Sequence, residues 1–199
     1  MIRRQIWTAI SVTAVLIILT GLAYPMLVTG IAQLLFPDQA NGSLIIENGR
    51  IVGSRLIGQR FSGPKYFHPR PSAAGAGYDP LASGGTNRGP TDRDLADTLI
   101  ANAVDSIIAN DGAHRGGIPA DQVTSSGSGL DPDISPASAM IQIARIARAR
   151  NVDSLTVAEI VARHIQGRQF GLFGEPRVNV LSLNLALDSG LALATRATR

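Results

Sequence analysis

Apolar and polar positions divide the chain sharply in two. From Ile6 to Phe36 no residue carries a charge. A bilayer core about 30 Å thick needs about 20 apolar helical residues, so this run is long enough to cross once and continue. Its most apolar part is Ile10 to Leu27, with Trp7 and Tyr24 near its ends, where amphipathic rings favour the lipid–water interface. Pro25 lacks a backbone donor and predicts a kink or an exit. The layout predicted is an N-terminus at 1–5, a membrane helix at 6–28, a stalk at 29–37, a soluble domain at 38–190 and a frayed tail at 191–199. A cleaved signal peptide is the competing reading, because Gly21-Leu22-Ala23 has the small-x-small pattern of a cleavage site. Against it, Pro25 follows two residues later and apolar sequence resumes through Met26 to Phe36.

Beyond residue 38 the pattern changes period. Leu44-Ile45-Ile46 and Ile51-Val52 flank Glu47-Asn48-Gly49-Arg50, a hairpin signal. Residues 61–91 are rich in Gly, Pro, Ser and Ala, show no period and predict a long loop pinned by contacts. Thr91 with Asp94 fits a capping box for a helix carrying Leu95, Leu99, Ala103, Val104, Ile107 and Ile108, stopped by Asn110-Asp111-Gly112. Ser135-Pro136 fits an N-cap with proline at the first helical position. That helix is predicted to run to Arg150, with Ala139, Met140, Ile143 and Ala147 on its apolar face. Thr156 with Glu159 predicts a further helix to Gln166, and Arg177 to Leu187 alternates like a bulged strand. The fold class expected is α+β: one N-terminal transmembrane helix, then a small mixed α/β extracytoplasmic domain.

Charge sets the orientation. Arg3 and Arg4 precede the apolar run, and the other flank offers Asp38 but no basic residue until Arg50. The positive-inside rule then keeps the N-terminus in the cytoplasm and places residues 38–199 outside. Without Arg3 and Arg4 the balance is 16 basic against 15 acidic residues, so the pI of about 9.9 is no nucleic-acid footprint. Three Tyr and five Phe provide no stacking platform. The absence of cysteine excludes disulfides, a thiol nucleophile and thiolate metal sites.

Few residues carry recognisable chemistry. Ser125-Ser126-Gly127-Ser128-Gly129 is a glycine-serine loop shortly before a helix, able to cradle an anion or simply to satisfy a tight turn. No lysine follows it, as a phosphate-binding loop requires. Ser62-Gly63-Pro64-Lys65 matches Ser-x-x-Lys, but Gly and Pro prevent the helical turn that would join the pair. His68, His114 and His164 lack metal-ligand spacing. Asp131 and Asp133 flank Pro132, and Glu175-Pro176-Arg177 reads as a salt-bridged turn.

Several blocks together resemble one family. Thr20-Gly21-Leu22-Ala23-Tyr24-Pro25, Leu56-Ile57-Gly58-Gln59, Tyr66-Phe67-His68-Pro69-Arg70-Pro71-Ser72-Ala73, the stretch Val123 to Pro136 and Gly174-Glu175-Pro176-Arg177-Val178-Asn179-Val180-Leu181 look like the C subunit of Kdp-type potassium-transporting ATPases. The usual Ser-Gly-Gly-Ser-Asn block stands here as Ser83-Gly84-Gly85-Thr86-Asn87.

The resemblance implies a non-catalytic subunit of a potassium importer in the bacterial inner membrane. The implied partners are a channel-like potassium-translocating subunit, a P-type ATPase subunit and a small single-span subunit, besides membrane lipid. It also implies assembly of the complex, and a catalytic-chaperone role in which ATP affinity of the ATPase subunit is raised. For nucleotide contact the residues chosen are Ser126, Gly127, Ser128 and Gly129, with Gln142 and Arg145 on the following helix. For subunit contact they are Thr20, Gly21, Tyr24 and Pro25, where small residues and a kink permit close packing in lipid. No catalytic or metal-binding residue is assigned, and potassium is carried by the complex. ATP as a ligand conflicts with the topology, since cytosolic nucleotide cannot reach an external loop. A cap near the potassium entrance without nucleotide contact, a membrane-anchored hydrolase and a free-standing binding module are the alternatives.

Overall fold

The computed structural model describes residues 1–47 and 49–197, in two compact units divided between Val52 and Gly53. The first unit is dominated by a helix from Ile2 to Leu35, whose most apolar window has a mean hydropathy of 2.2 and no buried residue. It comprises α1 (Ile2–Leu16), a π-helical stretch (Ile17–Ala23) and α2 (Tyr24–Leu35). The widened turn accounts for the proline. A proline in a helix removes one donor and pushes against the carbonyl four residues back. The π stretch ends at Ala23, two residues before Pro25, and the Tyr24 N–H bonds Leu19 O, five residues back. The helix continues through Pro25, and the residues of the expected stalk are helical to Leu35. A short α3 (Pro37–Ala40) follows, then β1 (Leu44–Glu47) paired with β2 (Arg50–Ser54) as the hairpin signal predicts. Asn48, expected in the turn, lies outside the described residues.

The second unit is built on a three-stranded antiparallel sheet ordered β3-β5-β4, from β3 (Asp133–Ile134), β4 (Ile165–Gln166) and β5 (Arg177–Asn179). Val178 at its centre faces Ile134 on one side and Ile165 on the other. Three helices pack on β5: α5 (Pro136–Arg150), α6 (Ser154–His164) and α7 (Val180–Ala197). Their shared core includes Phe67, Ile134, Ile146, Val157, Val161, Val178, Leu183 and Leu187. A fourth helix, α4 (Ala101–Asp111), continues from a π stretch (Leu95–Ile100) and packs on α5. It ends where expected, with Gly112 left-handed at φ +70°, a conformation that carries no side-chain penalty only for glycine.

Several sequence expectations change. Thr91 does not cap its helix; Asp92 does, its Oδ1 accepting from Asp94 N at 2.9 Å. Thr156 does not open α6 either, because Asp153 accepts from Leu155 N, and α6 stops at His164, where the chain turns extended to pair with β5. Met140, expected on the buried face of α5, is 54 % exposed, and Ser138, Gln142 and Arg145 take inward places instead. The largest change is at the C-terminus. The expected strand over 177–187 is a strand only to Asn179, whose Oδ1 accepts from Ser182 N and so caps α7. Val180, Leu183 and Leu187 then lie on one helical face rather than on one side of a strand. The expected frayed tail at 191–199 is helical through Ala197, and residues 198–199 lie outside the described residues.

Candidate functional site

Much of residues 61–91 has no secondary structure of its own, so its backbone groups need partners elsewhere. Two buried carboxamides supply them. Asn184 on α7 accepts from Phe67 N at 2.8 Å and donates to Phe67 O at 3.0 Å. Gln142 on α5 accepts from His68 N at 2.7 Å and donates to His68 O at 3.1 Å. Successive peptide groups are thus gripped from opposite sides, as a strand would be by two neighbours, but by side chains.

Arg145 extends the clamp one turn along α5. Its Nε meets Asp111 at 2.7 Å, one terminal nitrogen serves Pro64 O and Tyr66 O at 2.7 and 2.9 Å, and the other meets Gln142 Oε1 at 2.8 Å. The Arg145 and Asp111 side chains retain only 7 and 5 % exposure. Arg145 and Gln142, chosen from sequence for nucleotide, thus use their polar groups within the chain. Arg150 adds an outer latch, bonding Lys65 O and Asp188 while lying over the Tyr66 ring. Burial, then the neighbouring Arg145 charge, holds His68 below its ordinary pKa.

The Ser126–Gly129 loop is likewise engaged. Ser128 O accepts from Gly84 N and from the Ser83 hydroxyl, and Gly129 O accepts from the Ser72 hydroxyl at 2.6 Å. Ser126 O accepts from Gly129 N, and Ser128 Oγ accepts from Leu130 N. Gly129 sits at φ +67°, and a Cβ there would lie 2.7 Å from Ala74 N and Gly84 O. Gly127 differs: it is exposed, with open space around a notional Cβ. The loop is therefore a seam joining 123–131 to 72–85, with its glycine demanded by close approach of the backbone. The geometry brings Gln142 and Arg145 together at the clamp, and Ser126 to Gly129 together at the seam.

Other sequence candidates resolve into pairs. Asp131 meets Arg70 at 2.7 Å, and Asp133 meets Arg177 at 3.0 Å, so the two acids face separate cations. Burial raises the pKa of Asp133, while Asn179 and Arg177 oppose the shift. Glu175 pairs with Arg168 rather than Arg177. Among the described residues no cluster of His, Asp and Glu could hold a metal. On the first unit Thr20, Gly21, Tyr24 and Pro25 are all exposed, and the Thr20 hydroxyl is bonded back to Leu16 O at 2.7 Å.

Sequence reasoning missed Asp111 and Asn184 as site residues, and also Asp121, which accepts from Ser135 N and both the Ser135 and Ser138 hydroxyls. A signal existed for one side of the clamp. Ser138, Gln142 and Arg145 interrupt the inward stripe formed by Ala139, Ile143 and Ile146, and buried polar groups require partners.

The apolar helix, the clamp and the seam are covered by one known family pattern. A family model described as the c chain of the K⁺-transporting ATPase, KdpC, matches residues 6–189. The chain belongs to the KdpC family. The KdpC relatives include a potassium-transporting ATPase KdpC subunit of Gemmatimonas aurantiaca, 65 % identical over 91 % of this chain and 90 % of the relative. Subunits of the same description from Rhodospirillum rubrum and Koribacter versatilis are 52 and 49 % identical, over 96 and 97 % of this chain and 98 % of each relative. The KdpC match thus covers both the apolar helix and the mixed domain.

Proposed function

We propose that this chain is the accessory, non-catalytic subunit of an ATP-driven potassium import complex in the bacterial inner membrane. A single span anchors it, with the N-terminus in the cytoplasm and the mixed domain outside. The carrying observation is the uninterrupted apolar helix Ile2–Leu35 joined to a domain of the KdpC family. One such helix cannot surround an ion path, because conduction needs a lined pore. Potassium passage therefore belongs to a channel-like partner, and phosphoryl transfer to an ATPase partner. A small single-span subunit and lipid complete the assembly. Thr20, Gly21, Tyr24 and Pro25 present a small-residue face on the exposed helix for a neighbouring span.

The domain's role in this reading is assembly, as a cap near the potassium entrance. Its polar groups favour that role over nucleotide contact: the carbonyls of Ser128 and Gly129 hold the 72–84 segment, and Arg145 and Gln142 hold 64–68. Raising the ATP affinity of the partner would require the loop on the cytoplasmic side.

Topology decides between them. The chain has no cysteine, so a single Gly127→Cys variant is a clean reporter, and the open space at Gly127 accepts it where Gly129 would not. Intact cells carrying the whole complex are treated with a membrane-impermeant maleimide, beside lysed cells and a control cysteine next to Arg3. Labelling in intact cells is expected. Protection until lysis would refute the external placement and make the ATP-affinity role the leading mechanism.

A further inference from the structure

The loop joining β4 to β5 stands clear of the core that β5 helps to build. Every residue from Ile165 to Glu175 is exposed. Its tip, Phe170-Gly171-Leu172-Phe173, carries no charge, and Phe170, Leu172 and Phe173 are 90, 74 and 65 % exposed. An aromatic side chain buries about 150–250 Å² when covered, so the three together offer apolar surface on the order of 400 Å². Contiguous exposed apolar surface of that size marks an interaction site.

The tip is held in one shape. Gln169 and Phe173 each donate an N–H to the other's carbonyl, and the N–H groups of Gly171 and Leu172 bond Arg168 O and Gln169 O. Those groups stay satisfied in a dry pocket, where an unpaired one is costly. Phe170 is left-handed at φ +53°, followed by Gly171 at φ +72°. A bulky residue rarely adopts that backbone, whereas glycine adopts it freely. So exposed a phenylalanine gains little packing within the chain in exchange. A preset shape lowers the ordering cost of docking into a matching pocket, and a fluid lipid surface does not require one. Charge also argues against lipid. Interfacial anchors carry Lys and Arg for anionic headgroups. Here Arg168 pairs with Glu175 at the neck of the loop at 2.8 Å, and Arg177 beyond it pairs with Asp133 at 3.0 Å.

We propose that this tip docks in an uncharged apolar pocket on a membrane partner subunit of the import complex, with Phe170 and Leu172 as the inserted side chains. This rests on the accessory-subunit reading and names where the domain engages its partner. A stable interface buries about 1,200–2,000 Å² in total, so the tip does not hold the complex together alone. It is a second contact beside the membrane helix, whose attachment raises the effective concentration of the tip. Loss of the tip's apolar side chains therefore undocks the domain while the anchor stays bound.

The test uses the whole complex, isolated in mild detergent through a tag on this chain. Phe170 is replaced by the photoreactive analogue p-benzoylphenylalanine, and the irradiated product is identified by mass spectrometry. Crosslinking to one membrane partner subunit is expected. Adding Leu172→Gln should cut that yield severalfold while the partners still copurify through the anchor. The thermal midpoint of the full chain purified alone should not fall with Leu172→Gln, and should rise with Phe170→Asn, because asparagine tolerates left-handed backbone. Copurification with a product on lipid only, or with no product, overturns the proposal and leaves the accessory-subunit reading standing. So does a yield that Leu172→Gln leaves unchanged, or a midpoint that Phe170→Asn lowers, which would give the tip a folding role instead. A tagged chain that brings down no membrane partner overturns both.

Discussion

Arg145→Met tests most directly whether the buried guanidinium holds the fold or waits for a ligand. The substitution leaves Asp111 with its carboxylate 5 % exposed and its cation gone, and strips donors from Pro64 O and Tyr66 O. Breaking a buried ion pair by removing one partner costs about 3–5 kcal/mol. The two orphaned carbonyls push the cost towards the upper end. A domain has about 5–15 kcal/mol in all, so the variant should lose a large share of its stability. The measure is equilibrium denaturant unfolding of the full chain in detergent, followed by circular dichroism. A double variant, Arg145→Met with Asp111→Leu, removes the stranded charge and should recover most of the loss. A single-variant loss below about 1 kcal/mol, within the range of an exposed pair, would refute the reasoning. So would a double variant no more stable than the single.

Two more predictions follow from the same region. Gly129→Ala should cost at least about 1–3 kcal/mol for a side chain in left-handed backbone, with further loss from a Cβ 2.7 Å from Ala74 N; Gly127→Ala should leave thermal unfolding almost unchanged. Acidification should destabilise the fold through His68, whose pKa lies below 6.5 in the folded chain. The unfolded chain then binds more protons, so stability falls as pH drops below about 6.5, and denaturant titrations from pH 7 to pH 5 should show a shallower fall for His68→Gln.

The parts of this fold that were legible are those governed by local rules. The uncharged run, the Ser135-Pro136 start of α5 and the Gly112 stop each depend on a few adjacent residues. The strand expected at 177–187 failed for an informative reason. Leu181, Leu183, Leu185 and Leu187 alternate perfectly, yet leucine and alanine are strong helix formers, and Asn179 three residues before Ser182 is a cap. A period-two pattern in such residues is ambiguous, and the cap should have decided it. At α5, Ser138, Gln142 and Arg145 could be seen as polar intruders on an apolar stripe. Their partners could not, since Gln142 reaches back 74 residues to His68 and nothing local encodes that distance. The sequence showed Gly129 only as part of a glycine-serine loop, and what demands glycine there, the backbone of 74 and 84, lies in distant sequence.

The two-sided grip on Phe67 and His68 also fixes an order of events during synthesis. Asn184 lies 117 residues after Phe67, near the end of the chain. Domains made on a ribosome emerge N-terminus first, and here an early segment is fastened by one of the last helices. Until α7 is complete, the Phe67 peptide lacks one side of its grip, and the sheet lacks the helix that follows its central strand. The Gln142 and Arg145 contacts and the 72–85 seam can form once α5 has emerged, so the Phe67 side of the grip would be the last part of this segment to close. Truncation inside α7 would then leave the second unit held by α5 and the seam alone, with the Phe67 peptide unlatched on its Asn184 side.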